Sequence, residues 1–138
     1  MKGFQRIGWI LMLCLCLLLS ACGTSGGGNV DVDLTQMSET VAYSQAYAMV
    51  TAPEDYLGKT VRMSGTYSAY VDPNTQAVYY ACLIADTAAC CSVPIEFVAG
   101  DITGLPEYGS VITVTGVFGT YQEGGNRYCQ LTDAVIES

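Results

Sequence analysis

The chain has 138 residues, of which only 13% are charged and 51% are hydrophobic, so it is long enough for one domain and is not an intrinsically disordered chain. Acidic residues outnumber basic ones 13 to 5, the net charge is −8, and histidine is absent. The absence of histidine excludes serine–histidine and cysteine–histidine catalysis and histidine-ligated metals. The shortage of basic residues also disfavours nucleic-acid binding, which needs several cations to neutralise phosphates. No residue pattern here is typical of catalysis, and we expect a protein that is not an enzyme.

The N-terminal residues 1–21 are predicted to form a signal helix. Two basic residues precede an apolar run that ends at Leu19, which is typical of a secretory signal peptide and is too short to span a membrane. The next residues, Leu-Ser-Ala-Cys ending at Cys22, resemble the bacterial lipobox. The resemblance implies that Cys22 is acylated and anchors the mature chain to the cell membrane at its extracytoplasmic face. The alternative is an ordinary signal peptide followed by a chance cysteine.

The remaining chain divides into a Gly/Ser-rich tether, residues 22–32, and a folded domain, residues 33–138. Apolar residues recur at helical spacing over residues 35–51, which predicts a helix capped by Asp33 or Thr35 and lying over a small core. Further along, apolar and polar residues alternate and predict five strands. These strands are predicted over residues 59–71, 77–85, 92–98, 110–121 and 127–137.

An internal repeat supports the predicted strands. The segments 58–70 and 109–121 can be aligned without gaps, and each has a glycine in the middle of its strand, Gly65 and Gly116. Glycine within a strand is typical of a sharp bend at a barrel corner. We therefore expect a mainly β fold: a small five-stranded barrel preceded by one α-helix.

This arrangement of strands and hairpins resembles the OB-fold. The segment 52–65, APEDYLGKTVRMSG, is similar to the region around the first strand in the tRNA_anti-like group of exported OB-fold proteins. The segment 106–116 is similar to the start of the fourth strand of that fold. The resemblance covers about residues 36–137 and implies an OB-like barrel. The chain departs from the group in having no evident helix between the third and fourth strands, and it lacks a basic face for nucleic acid.

Four of the seven cysteines fall within the predicted domain. They are Cys82, Cys90, Cys91 and Cys129. In an OB-like barrel the third strand neighbours the second and the fifth, so the topology can bring all four together. Three chemistries fit: two disulfides that join the vicinal pair to the outer two cysteines, a zinc site of four thiolates, or free redox-active thiols.

Five tyrosines cluster near the two predicted hairpins and are candidates for a ligand face: Tyr70, Tyr79, Tyr80, Tyr121 and Tyr128. OB-folds bind ligands on the second and third strands and with nearby loops, and tyrosine rings there can stack on a sugar or hold a peptide. The strand propensity of tyrosine explains the same residues without a ligand. We expect a binding or accessory module of the cell envelope whose partner is an envelope protein, a peptide or a saccharide. The alternative is a zinc-binding or zinc-handling protein that uses the four cysteines.

Overall fold

The computed structural model describes residues 29–137, which form a mainly β structure with one α-helix. The predicted signal helix, Cys22 and most of the tether lie outside the described residues. Within residues 29–137 there is no helix with the length and apolar character needed to cross a membrane. The elements are β1 (Val32–Asp33), α1 (Glu39–Thr51), β2 (Thr60–Val71), β3 (Val78–Ala85), β4 (Ser92–Ala99), β5 (Val111–Glu123) and β6 (Asn126–Glu137).

The five long strands close into a ring of backbone hydrogen bonds. The sheet order is β1-β2-β3-β4-β6-β5, and β2 also pairs with β5. Neighbours in the ring are antiparallel except for β4 and β6, which are parallel. The structure therefore confirms the prediction of a mainly β fold in which one helix precedes five long strands.

One short strand was not predicted. β1 pairs in parallel with the start of β2, with Val32 opposite Val61 and Asp33 opposite Arg62. Val32 is the last residue of the predicted tether, so regular pairing begins just before the predicted domain boundary. Two residues are too few to show any periodicity. β1 forms because its backbone pairs with the edge of β2.

The predicted helix over residues 35–51 is wrong at its start. A 3-10 turn spans Leu34–Gln36, and α1 begins only at Glu39. The carboxylate of Asp33 accepts a hydrogen bond from the Thr35 amide at 3.0 Å, so Asp33 caps this turn and not the helix. The backbone of Met37 is extended, and this separates the 3-10 turn from α1. The turn buries Leu34 in the core.

The strand β2 changes its pairing partner midway along its length. Residues 60–66 pair with β5, and residues 66–71 pair with β3. Gly65 lies beside this change, and a Cβ atom there would approach the Leu83 carbonyl oxygen to 2.4 Å. Gly116 lies where the β5–β6 register shifts, and its Cβ would come to 2.7 Å from the Thr132 carbonyl oxygen. Both repeat glycines are therefore required by close backbone approach.

The two repeated segments pair with each other around a local pseudo-twofold axis. Met63 and Val114 hold equivalent positions in the repeat, and they are register partners across β2 and β5. The amides of Gly58 and Gly109, also equivalent, each donate to a carbonyl oxygen of the other segment, at 2.9 and 3.0 Å. The repeat in the sequence thus corresponds to the seam that closes the ring.

The core fills the ring and α1 covers part of it. Met49 and Ala46 of α1 are fully buried, and the helix contacts β3 and β4. The expectation that the helix lies over a small core is therefore confirmed, although Val41, one of its apolar residues, is half exposed. Other large buried side chains come from the strands: Val61, Met63, Ile95, Ile112, Val114, Phe118 and Leu131.

Candidate functional site

The structure brings two of the four predicted cysteines together and leaves the other two apart. Cys90 and Cys91 are exposed in the loop between β3 and β4, with their Sγ atoms 3.5 Å apart. Cys82 is buried in β3, and Cys129 is half-buried in β6. Each of these four thiols is free in the described part of the chain.

The strand order explains why Cys82 and Cys129 do not meet. β4 lies between β3 and β6, so the two cysteines are on strands separated by about 10 Å, twice the usual strand spacing. A disulfide needs Cα atoms within about 7 Å. Both residues also lie within strands, whereas Cys90 and Cys91 lie in the β3–β4 loop, so neither Cys82 nor Cys129 joins the vicinal pair. The expected cluster of four cysteines at one end is therefore replaced by a smaller group.

This smaller group consists of Asp86, Cys90 and Cys91, whose ligand-type atoms all lie within 4.8 Å of one another. The loop closes as a hairpin in which the Asp86 amide donates to the Cys91 carbonyl oxygen at 3.0 Å. One Asp86 oxygen, Oδ1, accepts the Cys90 and Cys91 amides at 3.0 and 3.4 Å. The other oxygen, Oδ2, accepts the Cys90 thiol at 3.2 Å. The backbone thus fixes the carboxylate and aims its second oxygen at sulfur.

The protonation of this group follows from that geometry. The hydrogen bond to Asp86 raises the pKa of Cys90 to about 11, while the same hydrogen bond lowers the pKa of Asp86. Burial raises the pKa of Cys82 to about 12 and is also the main cause of the raised pKa of Cys129. These three thiols therefore keep their protons to a higher pH than an unperturbed cysteine does.

Three of the five predicted tyrosines border a second feature, a cavity of about 320 Å³. Tyr79 and Tyr80 reach it from β3 and Tyr121 from β5, with Glu96 and Ile102 on other sides. Tyr70 and Tyr128 are not part of its lining. We call this space the tyrosine cavity.

The two outer tyrosines pack on the inner ones. The ring of Tyr128 stacks on that of Tyr121 with centroids 5.4 Å apart, and Tyr70 lies against Tyr79 at 6.5 Å. All five predicted tyrosines therefore belong to one surface region, with two aromatic pairs on it. Tyr80 stacks on Phe97, which is buried in the core. This packing restricts the rotamers of the rings that border the cavity.

Two carboxylates hold the tyrosine hydroxyls. Tyr121 donates to Glu96 at 2.5 Å, and Tyr79 donates to Glu123 at 2.7 Å. The hydrogen bond to Glu123 raises the pKa of Tyr79 to about 12, and burial together with Glu96 raises the pKa of Tyr121. Both phenols are therefore neutral at physiological pH, and the charge at the cavity is that of the carboxylates.

The basic side chains of the described domain are engaged elsewhere. Arg62 pairs with Glu137 and Arg127 with Glu54, each at 2.6 Å. Lys59 lies over the ring of Tyr56, 5.3 Å from its centroid. The lining of the tyrosine cavity contains no cation. Its electrostatic character is acidic and aromatic, which disfavours an anionic ligand.

Comparison of the chain with models of known protein families gave no match, and comparison with curated proteins gave none. The resemblance to exported OB-fold proteins therefore stays a prediction. Sequence reasoning missed Asp86 as a site residue. An aspartate four residues before a vicinal cysteine pair, in a loop between two strands, is the pattern that points to it.

Proposed function

We propose that the chain is a lipid-anchored, extracytoplasmic binding module with an OB-like fold and no catalytic activity. The strand order supports the fold: β4, the third of the long strands, lies between the second and the fifth, and the first closes on the fourth. This is the connectivity expected of the five-stranded Greek-key barrel of OB-folds. The lipobox resemblance at Cys22 supports the anchor and the location.

The tyrosine cavity is the observation that carries the binding function. It borders β3 and β4, the second and third long strands, which in OB-folds form the ligand face. The Tyr79–Glu123 hydrogen bond joins the strand after the β2–β3 turn to the end of β5. The two hairpins that flank an OB ligand face are thus tied together beside the cavity, which makes this face preorganised for a ligand.

The chemistry of the cavity limits the ligand. Stacked tyrosine rings favour a partner with a flat apolar face, and the carboxylate of Glu96 in the lining favours hydrogen-bond donors or positive charge. A volume of about 320 Å³ holds one or two sugar rings or a few residues of peptide, not a whole macromolecular surface. A neutral saccharide or a peptide without acidic side chains fits these conditions.

The test is a calorimetric titration of the full chain in detergent with two probes, an N-acetylglucosamine oligosaccharide and a short lysine-containing peptide. One aromatic contact is worth about 0.5–1.5 kcal/mol, so Tyr121→Ala or Tyr80→Ala should weaken binding of the effective probe roughly 2- to 10-fold. Tyr47→Ala is the matched control, because Tyr47 is an exposed tyrosine on α1.

Thermal unfolding of each variant separates loss of binding from loss of fold. The proposal is contradicted if neither probe binds, or if Tyr47→Ala weakens binding as much as the cavity variants do.

A further inference from the structure

A second site lies at the opposite end of β3 from the tyrosine cavity. Tyr79 lies near the start of β3 and Asp86 directly follows its end. Seven residues of extended strand span about 23 Å. The group of Asp86, Cys90 and Cys91 therefore has no part in the tyrosine cavity, and what it binds is independent of the function proposed above.

We infer that Asp86, Cys90 and Cys91 form an open three-ligand site for a thiophilic divalent cation of the zinc type. The donor set is two sulfur atoms and one carboxylate oxygen, all of which Zn²⁺ accepts in proteins. Binding releases the two thiol protons to solvent, so that two thiolates and the carboxylate hold the ion.

The spacing of the three donors fits one tetrahedral ion. With Zn–S bonds of about 2.3 Å and a Zn–O bond of about 2.1 Å, tetrahedral ligands lie about 3.8 Å apart for S···S and about 3.6 Å for S···O. The corresponding distances are 3.5 Å between the two Sγ atoms and 3.2 Å from Cys90 Sγ to Asp86 Oδ2. Small outward shifts of exposed side chains reach the metal geometry. An ion with two ligands in a straight line would need the sulfur atoms much farther apart.

The carboxylate is already oriented for a cation. Its Oδ1 atom is occupied by two backbone amides, while Oδ2 is the atom directed at Cys90. Outer hydrogen bonds of this kind position metal ligands and are typical of real sites. The hairpin hydrogen bond between Asp86 and Cys91 holds the ends of the loop together, so the ligands come from one short, closed segment.

Access and charge also favour an exchangeable ion. Both cysteines are exposed, and Asp86 also borders a cavity of about 550 Å³ that extends toward the start of α1. The chain carries 13 acidic residues against 5 basic ones, which raises the local concentration of divalent cations. Structural zinc sites are closed by four protein ligands, whereas a three-ligand site keeps a position for water or an incoming ligand. The open position leaves the bound ion accessible to water or to an incoming ligand and makes it exchangeable.

The experiment uses the full chain in detergent, reduced and stripped of metal with a chelator. Zn²⁺ is titrated in competition with a chromophoric chelator, and Co²⁺ serves as a spectroscopic probe of thiolate ligation. We expect one Zn²⁺ per chain and a cobalt–thiolate charge-transfer band. Cys90→Ser, Cys91→Ser and Asp86→Asn should each weaken Zn²⁺ binding by at least the roughly 10- to 100-fold that loss of an outer partner costs.

Cys129→Ser is the matched control, because Cys129 lies outside the group, and it should leave zinc affinity unchanged. The replaced cysteines of the site are exposed, so their variants keep the fold, which thermal unfolding verifies. The inference is overturned if the wild type binds no zinc or if binding survives Cys90→Ser. It is also overturned if Cys129→Ser weakens binding equally, since that result indicates the four-cysteine site. None of these results bears on the tyrosine cavity.

Discussion

Gly65 and Gly116 show how single residues set the shape of the ring. A Cβ atom at either glycine would lie within 3 Å of a backbone carbonyl oxygen on the neighbouring strand. Backbone atoms cannot move aside as the end of a flexible side chain can. Each of these glycines is thus fixed by contact across strands, and the equivalent positions in the two repeats have the same constraint.

Gly65→Ala is expected to destabilise the domain by about 1–3 kcal/mol, the usual cost of overpacking. Gly119→Ala is the matched control within β5, because nothing lies within 4 Å of a Cβ there. That control should change the free energy of unfolding by no more than about 0.5 kcal/mol. Chemical denaturation of both variants measures the difference, and equal stabilities would contradict the close-approach explanation.

Residue type alone named part of each candidate site. Cysteine and tyrosine carry recognisable chemistry, so Cys90, Cys91 and the five tyrosines were identified from the sequence. Asp86 was not, because its carboxylate becomes part of the group only when the loop closes and two amides turn toward it. The sequence could not show that Cys82 and Cys129 lie too far apart to pair, because their separation depends on the order of the strands in the folded sheet.

At the scale of elements, alternation of apolar and polar residues was a reliable guide. The five predicted strands agree with β2–β6 to within two residues at each end. The start of α1 was less predictable, because the 3-10 turn and the helix share one apolar periodicity that the extended Met37 interrupts. The short strand β1 depends entirely on tertiary pairing, so no local pattern predicts it.

Because one face of α1 is buried against the core, substitutions on its two faces are expected to differ in their effect on stability. Met49 is fully buried beneath the helix, and truncating a buried methionine costs about 2–5 kcal/mol. Met49→Ala should therefore lower the free energy of unfolding by about that amount. Val41→Ala, at a position of the same helix that is 51% exposed, should cost no more than about 0.5 kcal/mol. Thermal or urea unfolding compares them, and similar losses would mean that α1 does not cover the core.

For the whole molecule, charge and the proposed anchor act in opposite directions. All 13 acidic residues follow Cys22 in the sequence, so the domain is repelled by anionic lipid head groups. Acyl chains on Cys22, as proposed, would overcome this repulsion because each buried methylene contributes about 0.8 kcal/mol. The proposal therefore requires that attachment to the membrane depend on acylation of Cys22 and not on the surface of the domain.

Cys22→Ala should abolish the incorporation of a labelled fatty acid into the chain, because the thiol is the acceptor implied by the lipobox resemblance. Cys16→Ala changes a cysteine within the predicted signal helix and should leave the label in place. Gel analysis of cells grown with the labelled fatty acid measures both. Label that persists in Cys22→Ala would show that the lipobox interpretation is wrong.

Closure of the ring has a consequence for the lipid-anchored chain proposed above, which would be concentrated on a membrane surface. Each long strand pairs with one neighbour on either side over part of its length, so no long strand of the described sheet has a whole side unpaired, and the outer edge of that sheet is the two-residue β1. Unpaired edges are the templates on which chains add to one another and aggregate. Molecules confined to a surface collide often and in similar orientations. For the lipid-anchored chain proposed above, the closed ring would let many copies share a surface without offering a neighbouring chain a whole unpaired side of a long strand.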